Sequence, residues 1–218
     1  MSIAGAQVSD PKRRQLILAC GALAREILEI VEANGLSHVT LRCLPAGLHN
    51  TPDKIPEAVR TAITEARSEF DDILVGYGDC GTGGQLDRLL ASEGIARLNG
   101  PHCYAVYSGV RAFLARGDAD MRSFFLTDFL ARQFDTLVIE GLGLDRHPEL
   151  RDDYFGHYEK VVYLSQTRDL ALLEAARRAA DRLGLDFEHR PVGLGDLETE
   201  IVDFALAAKP AGINGARP

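Results

Sequence analysis

The chain has 218 residues, 46% apolar and 26% charged, which suits one α/β domain or two small lobes sharing a core. A net charge of −8 argues against a nucleic-acid surface, because phosphates are met by a basic face. No apolar run approaches the ~20 residues that cross a bilayer, and the start MSIAGAQVSDPKRR lacks a signal-peptide h-region, so a cytoplasmic protein without membrane contact is expected. In that reducing compartment the four cysteines read as thiols, metal ligands or small buried groups in preference to disulfides.

Residues 1–13 and 209–218 read as loose termini, rich in Pro, Gly and small polar residues. The apolar run over 16–20 predicts a buried strand, followed by a helix over 22–33 that stops at Asn34-Gly35. A second strand is expected over 39–44. Thr51 or Asp53 can cap a helix over 55–70, where Ile55, Val59, Ile63 and Ala66 share one stripe. A third strand over 72–75 breaks into a glycine-rich loop before a helix over 85–92. Next come a short strand over 95–98, a helix over 104–115, and an ambiguous segment at 124–126 ahead of a helix over 128–134. Strands are expected over 136–139, 161–164 and 187–192. Helices are expected over 169–183, with Leu170, Leu173, Ala176 and Ala180 inward, and over 197–208.

Strands separated by helices of this length imply the α/β class: a parallel, doubly wound sheet of about six to eight strands flanked by helices. One domain over 14–208 is the first expectation. Two Rossmann-like lobes dividing near residue 100 are the alternative.

The loop Gly76-Tyr77-Gly78-Asp79-Cys80-Gly81 matches G-x-G-x-x-G after a strand and before a helix. The acidic residue that a dinucleotide ribose would need about twenty residues on is missing. An anionic group seated on the backbone of Gly76, Gly78, Gly81 and Gly83 is the expectation kept, beside a tight turn that needs glycine at positive φ. Cys80 is read as lying at a helix N-terminus, where the partial positive field favours thiolate. Cys103, after Pro101-His102, and Cys20, before Gly21, have comparable settings. These three thiols are expected to share a site on the carboxyl edge of the sheet, whereas Cys43, inside a strand, is assigned to packing.

His49 follows a strand, His102 adjoins Cys103, and His147 lies in a second glycine-containing loop over 141–148. A histidine in such a loop is more often a capping or surface residue than a ligand. Glu140, Asp145 and Arg146 can bind a polar substrate or pair with each other. Thiolate and imidazole together favour zinc, with Cys20, Cys80, Cys103 and His102 as its ligands. No C-x-x-C spacing occurs, so a finger or ribbon is excluded, and an open position would make the site catalytic in style. A metal-free alternative uses Cys80 or Cys103 as nucleophile with His49 or His102 as base. No G-x-S-x-G elbow is present.

Five segments carry a family resemblance: Ala19-Cys20-Gly21, Leu48-His49-Asn50 with Pro52 beyond it, Gly76 to Gly81, Pro101-His102-Cys103-Tyr104, and Gly143 to Leu150. Over roughly residues 14–205 the chain resembles the bacterial and archaeal family catalogued as domain of unknown function 1638. The resemblance implies a setting near corrinoid proteins and methyltransferases for methylamines or similar substrates. The chain has no D-x-H-x-x-G motif, so a corrinoid would reside on a partner protein. The expectation is therefore a zinc-binding thiolate-site protein of one-carbon metabolism, a component of a corrinoid-linked methyltransferase acting on a small molecule. If it is an enzyme, it is a methyl transferase. A non-catalytic metal or corrinoid chaperone and a metal-free cysteine-dependent enzyme are the alternatives.

Overall fold

The computed structural model describes residues 13–207, so the two expected loose termini lie outside the described residues apart from Arg13. The chain divides into two compact units, one running to His102 and resuming at Leu197, the other spanning Cys103–Asp196. No helix among the described residues is long and apolar enough to cross a membrane.

The first unit holds β1 (Gln15–Cys20), β2 (Val39–Leu44), β3 (Asp72–Gly76) and β4 (Ala96–Arg97), all parallel, in the order β2-β1-β3-β4. Its helices are α1 (Ala24–Ala33), α2 (Ile55–Ala66), α3 (Gln85–Glu93) and α9 (Leu197–Leu206). Leu16, Leu18 and Val75 pack against Ile55, Val59 and Ile63 of α2 and against Leu86, Leu89 and Leu90 of α3. The path from β1 to β2 and the path from β2 to β3 run in opposite directions across the sheet. Right-handed crossovers then put α1 and α2 on opposite faces. Helix α1 packs against α9, the segment that returns from the second unit.

The second unit holds β5 (Ser123–Thr127), β6 (Lys160–Ser165) and β7 (Asp186–Pro191), parallel and in sequential order. Around them lie α4 (Cys103–Ser108), α5 (Val110–Arg116), α6 (Asp128–Arg132), α7 (Arg151–Phe155) and α8 (Leu170–Leu183). Strand alternation sorts the core. Leu126, Val161 and Tyr163 meet Ala176, Ala180 and Leu183 of α8, while Phe125, Val162 and Leu164 meet Tyr104 and Phe113. Asp169 caps α8 by accepting from the Ala171 amide at 2.8 Å, and Gly184 closes it at φ +64°.

Several expectations change. Among the described residues seven strands form two parallel sheets, of four and three strands, and not a single sheet of six to eight. Strand β4, at one edge of the first sheet, pairs with β3 through two residues. The segment 124–126 is a full strand, and the helix expected over 104–115 breaks at Gly109 (φ +77°). The strand expected over 136–139 is helical: Asp135–Glu140 continues the helical path after α6 with wide i→i−5 bonds, from Gly141 to Thr136 and from Leu144 to Ile139. Thr136, Val138 and Ile139 are β-branched and favour a strand locally. Burial of Phe134, Val138 and Ile139, with Asp135, Thr136 and Glu140 exposed, traces a helical stripe that the tertiary core rewards instead.

The carboxylate of Asp128, 1% exposed, organises the carboxyl edge of the second sheet. It accepts from Tyr163 Oη at 2.6 Å, the Gln166 amide at 3.1 Å, the Thr167 amide at 2.9 Å and Thr167 Oγ1 at 2.5 Å. Asp128→Asn replaces one accepting oxygen with a donor and orphans at least one of these groups. Urea unfolding should show a loss of about 2–4 kcal/mol; a loss below about 0.5 kcal/mol would contradict this role.

Candidate functional site

Because β1 leads to β2 on one side and β3 lies on the other, the order of the first sheet reverses between β1 and β3. In parallel sheets such a reversal opens a crevice at the carboxyl ends of the strands. Cys20 ends β1 at that point, and Tyr77 follows the last residue of β3. The two strands approach so closely that a Cβ on Gly76 would stand 2.6 Å from the Ala19 Cβ.

Tyr77 is 3% exposed, and its hydroxyl faces the Cys20 thiol without a conventional hydrogen bond. Burial first, then the neighbouring Cys20, Cys80 and Cys43 sulfurs, push the Tyr77 phenol far above its ordinary range, so it stays protonated. Burial likewise pushes Cys20 up, against the opposing pull of the Ala22 amide and the Tyr77 hydroxyl. Cys43, directly across from Ala19, is exposed, which corrects its assignment to packing. Partial desolvation and then the charge of Cys20 raise it too. Both are neutral thiols at pH 7.

Cys80 differs from them in backbone as well as position. It is the one non-glycine residue at positive φ (+50°) among the described residues. That conformation costs an L-residue about 1–2 kcal/mol, and the surroundings hold it: the Cys80 amide donates to the Pro101 carbonyl at 2.7 Å. Helix α3 begins only at Gln85, so the expected placement of Cys80 at a helix N-terminus is not met. The Asp79 carboxylate takes the amides ahead of that helix instead, accepting from Gly84 at 2.8 Å, Gly83 at 3.2 Å and Thr82 Oγ1 at 2.7 Å. Burial works against the charge of Asp79, but these bonds and the Arg97 charge hold its pKa below the usual carboxylate value.

The glycines expected to cradle an anion therefore have visible structural duties. Gly76 and Gly78 allow close packing, Gly81 (φ +83°) lies against Pro52, and the Gly83 amide serves Asp79. At Gly78 a Cβ would lie 2.6 Å from the His102 Cα and 2.7 Å from its nitrogen. This contact sets His102 beside the loop of Cys80. His49, in the short helical turn Ala46–Asn50 after β2, couples electrostatically to His102. His49 stands at an exposed rim, yet the protein around it displaces enough water to lower its pKa. Burial, and secondarily repulsion from His49, lowers His102 despite the opposing pull of its own backbone. Both rings are neutral at pH 7, and a neutral ring nitrogen can accept a proton.

Two contributors were not singled out by the sequence reading. Tyr77 lies inside the glycine motif, between Gly76 and Gly78. Arg97 bonds Asp87 at 2.6 and 3.0 Å and donates to the Leu98 and Gly100 carbonyls at 2.7 and 2.9 Å, so it braces the segment carrying His102. It is also coupled to Cys80. A lone arginine in a two-residue strand carries no sequence signal of this role.

Cys103 opens α4 in the second unit, next to His102 along the chain; within the first unit the cluster comprises Cys20, Cys43, Cys80, Tyr77, His49 and His102. His147 is exposed and bonded to Glu149 at 3.2 Å, and Asp145 pairs with Arg146 at 3.8 Å. Among the described residues no three His, Cys, Asp or Glu side chains could together hold a metal ion. Within the first unit Cys20, Cys80 and His102 do not form such a set.

Gly78→Ala should cost about 1–3 kcal/mol in urea unfolding, because backbone rather than a movable side chain blocks the new methyl; an unchanged midpoint would contradict the close approach. The lowered His49 and His102 pKa values give a sign for pH. The folded state takes up their protons less readily than the unfolded state, so this contribution to stability is complete above about pH 6.5 and is lost as pH falls below it. Unfolding free energies measured between about pH 5 and pH 7 should rise with pH, and the rise should be smaller in His102→Gln.

No curated protein and no solved structure matches the chain. A family model described as Protein of unknown function (DUF1638) matches residues 43–201, a span that includes His49, the Cys80 loop and His102. The chain belongs to the DUF1638 family.

Proposed function

We propose that the chain is a cysteine-dependent transferase in which Cys80 is the nucleophile and a neutral imidazole, His49 or His102, is its base. The observation that carries the reading is Cys80 itself, held at φ +50° at the reversal point of a parallel sheet, beside His102 and in the field of Arg97. A strained non-glycine backbone persists where the fold over-determines it, and such residues cluster at working sites. The imidazole takes the thiol proton, and the sulfur attacks an electrophilic carbon of a small substrate. A carbon–sulfur bond forms while the carbon–leaving-group bond breaks, its electron pair departing with the leaving group. An acceptor nucleophile then takes the carbon group from the sulfur, which regains its electron pair. The moved group is read as methyl, in keeping with the setting that the family resemblance implies, and the location as cytoplasmic.

Alkylation with iodoacetamide at pH 7, read by peptide mass spectrometry, tests the nucleophile. Cys80 should react about tenfold or more faster than Cys20 and Cys43, whose thiols are raised. Equal or slower reaction at Cys80 would overturn the reading.

A zinc-thiolate component of a corrinoid-linked methyltransferase is the second reading. Its support is the electrostatic coupling of Cys20, Cys43 and Cys80 around Tyr77. It asks the donors to converge further than they do. Metal analysis of protein purified without chelator separates the readings: about one zinc per chain favours the second, and less than about a tenth excludes a stoichiometric site.

A further inference from the structure

At the opposite, amino-terminal edge of the first sheet lies a cavity of about 490 Å³ that the thiol site does not use. Its walls combine two chemistries. Phe70, Ile73, Leu74, Ile95 and Phe204 supply apolar surface, and Asp71, Asp72, Glu93, Glu200 and Asp203 supply carboxylates. Arg67, the cation of the lining, is ion-paired with Glu93. Asp72 is ion-paired with Arg13. Helix α9 ends at this cavity, so the negative end of its dipole adds to the field.

Gln15 points independently to a ligand. It lines the cavity, is 2% exposed, and donates through Nε2 to the Phe204 carbonyl at 3.0 Å. That bond fixes the amide orientation, because a flipped amide would set two acceptors against each other. Its Oε1 is consequently a buried acceptor with no donor. Buried polar groups are ordinarily satisfied, and an orphaned acceptor on a residue that lines a carboxylate-rimmed cavity calls for a donor that is also positive.

The carboxylates are not gathered to chelate a metal, since no three of them could together hold an ion. They share the lining with apolar side chains. A cation with several N–H donors on a hydrocarbon chain fits this arrangement better than a compact metal ion. We infer that this cavity binds a linear aliphatic amine in its protonated form, the ammonium group serving Gln15 and the carboxylates and the methylenes covering the apolar side chains. The inference stands apart from the thiol chemistry and uses none of its residues.

Calorimetric titration of the full chain at low ionic strength, with spermidine and cadaverine as probes, tests it. Binding at about 1 mM or tighter is expected. Asp203 is exposed on α9, so Asp203→Asn is compatible with folding. This variant should weaken the amines about tenfold while leaving the alkylation rate of Cys80 unchanged. Gln15→Leu should weaken them as well, with circular dichroism confirming that the variant is folded. Pentanediol, which keeps the chain and lacks the charge, should not bind. No amine binding up to about 10 mM, binding indifferent to both substitutions, or an equal response to magnesium would overturn the inference.

Discussion

Strand β1 is hydrogen-bonded on both sides, to β2 and to β3, and Leu16 through Ala19 are essentially withdrawn from water. A strand so placed has no freedom of register, since a slip of one residue would turn Leu16 and Leu18 out of the α2–α3 core. The register that results sets Ala19 between Cys43 and Gly76. It also brings Cys20, Leu44 and Tyr77 to a common edge. The second sheet lacks this property. Its strands follow one another in order, β5-β6-β7, so no reversal opens a crevice among them. The polar groups at its carboxyl edge are engaged with one another instead, around Asp128.

Close backbone approach is the second constraint. Gly76 against Ala19 and Gly78 against His102 leave no room for a side chain, so the loop after β3 is pressed onto the segment after β4. The Asp79 carboxylate then stiffens the loop from within. In this setting Cys80 is carried in a left-handed conformation by its bond to Pro101. Desolvation sets the protonation states around it: thiols at Cys20 and Cys43, a phenol at Tyr77, and neutral rings at His49 and His102. Arg97 adds a positive charge to the surroundings of Cys80.

Much of the fold was legible because local pattern and burial agree. The strands over 16–20 and 161–164 are apolar runs, and α2 carries the helical stripe read for it; on α8 Ala176 and Ala180 face inward as expected, whereas Leu170 is exposed and Leu172 is buried in its stead. Legibility failed where they disagree. The segment 136–139 has strand-forming residues in a helix, because Phe134, Val138 and Ile139 reach one core only with helical spacing. Gly109 splits one amphipathic stretch into two helices, a break that composition does not announce.

Periodicity, glycine placement and motif suffice for the parallel α/β class, the turns at which Cys20 and Cys80 appear, and membership of the DUF1638 family. Which groups meet was decided only by tertiary structure. Strand order brings Cys43 and Tyr77 to the site, and backbone packing sets His102 beside the Cys80 loop. Arg97 gains its place through carbonyls three residues away and less. Beside the anion-cradle reading of the glycines, the fold gives them duties in packing and in serving Asp79. A glycine in a sequence reports that a side chain is excluded, and only the fold shows what excludes it.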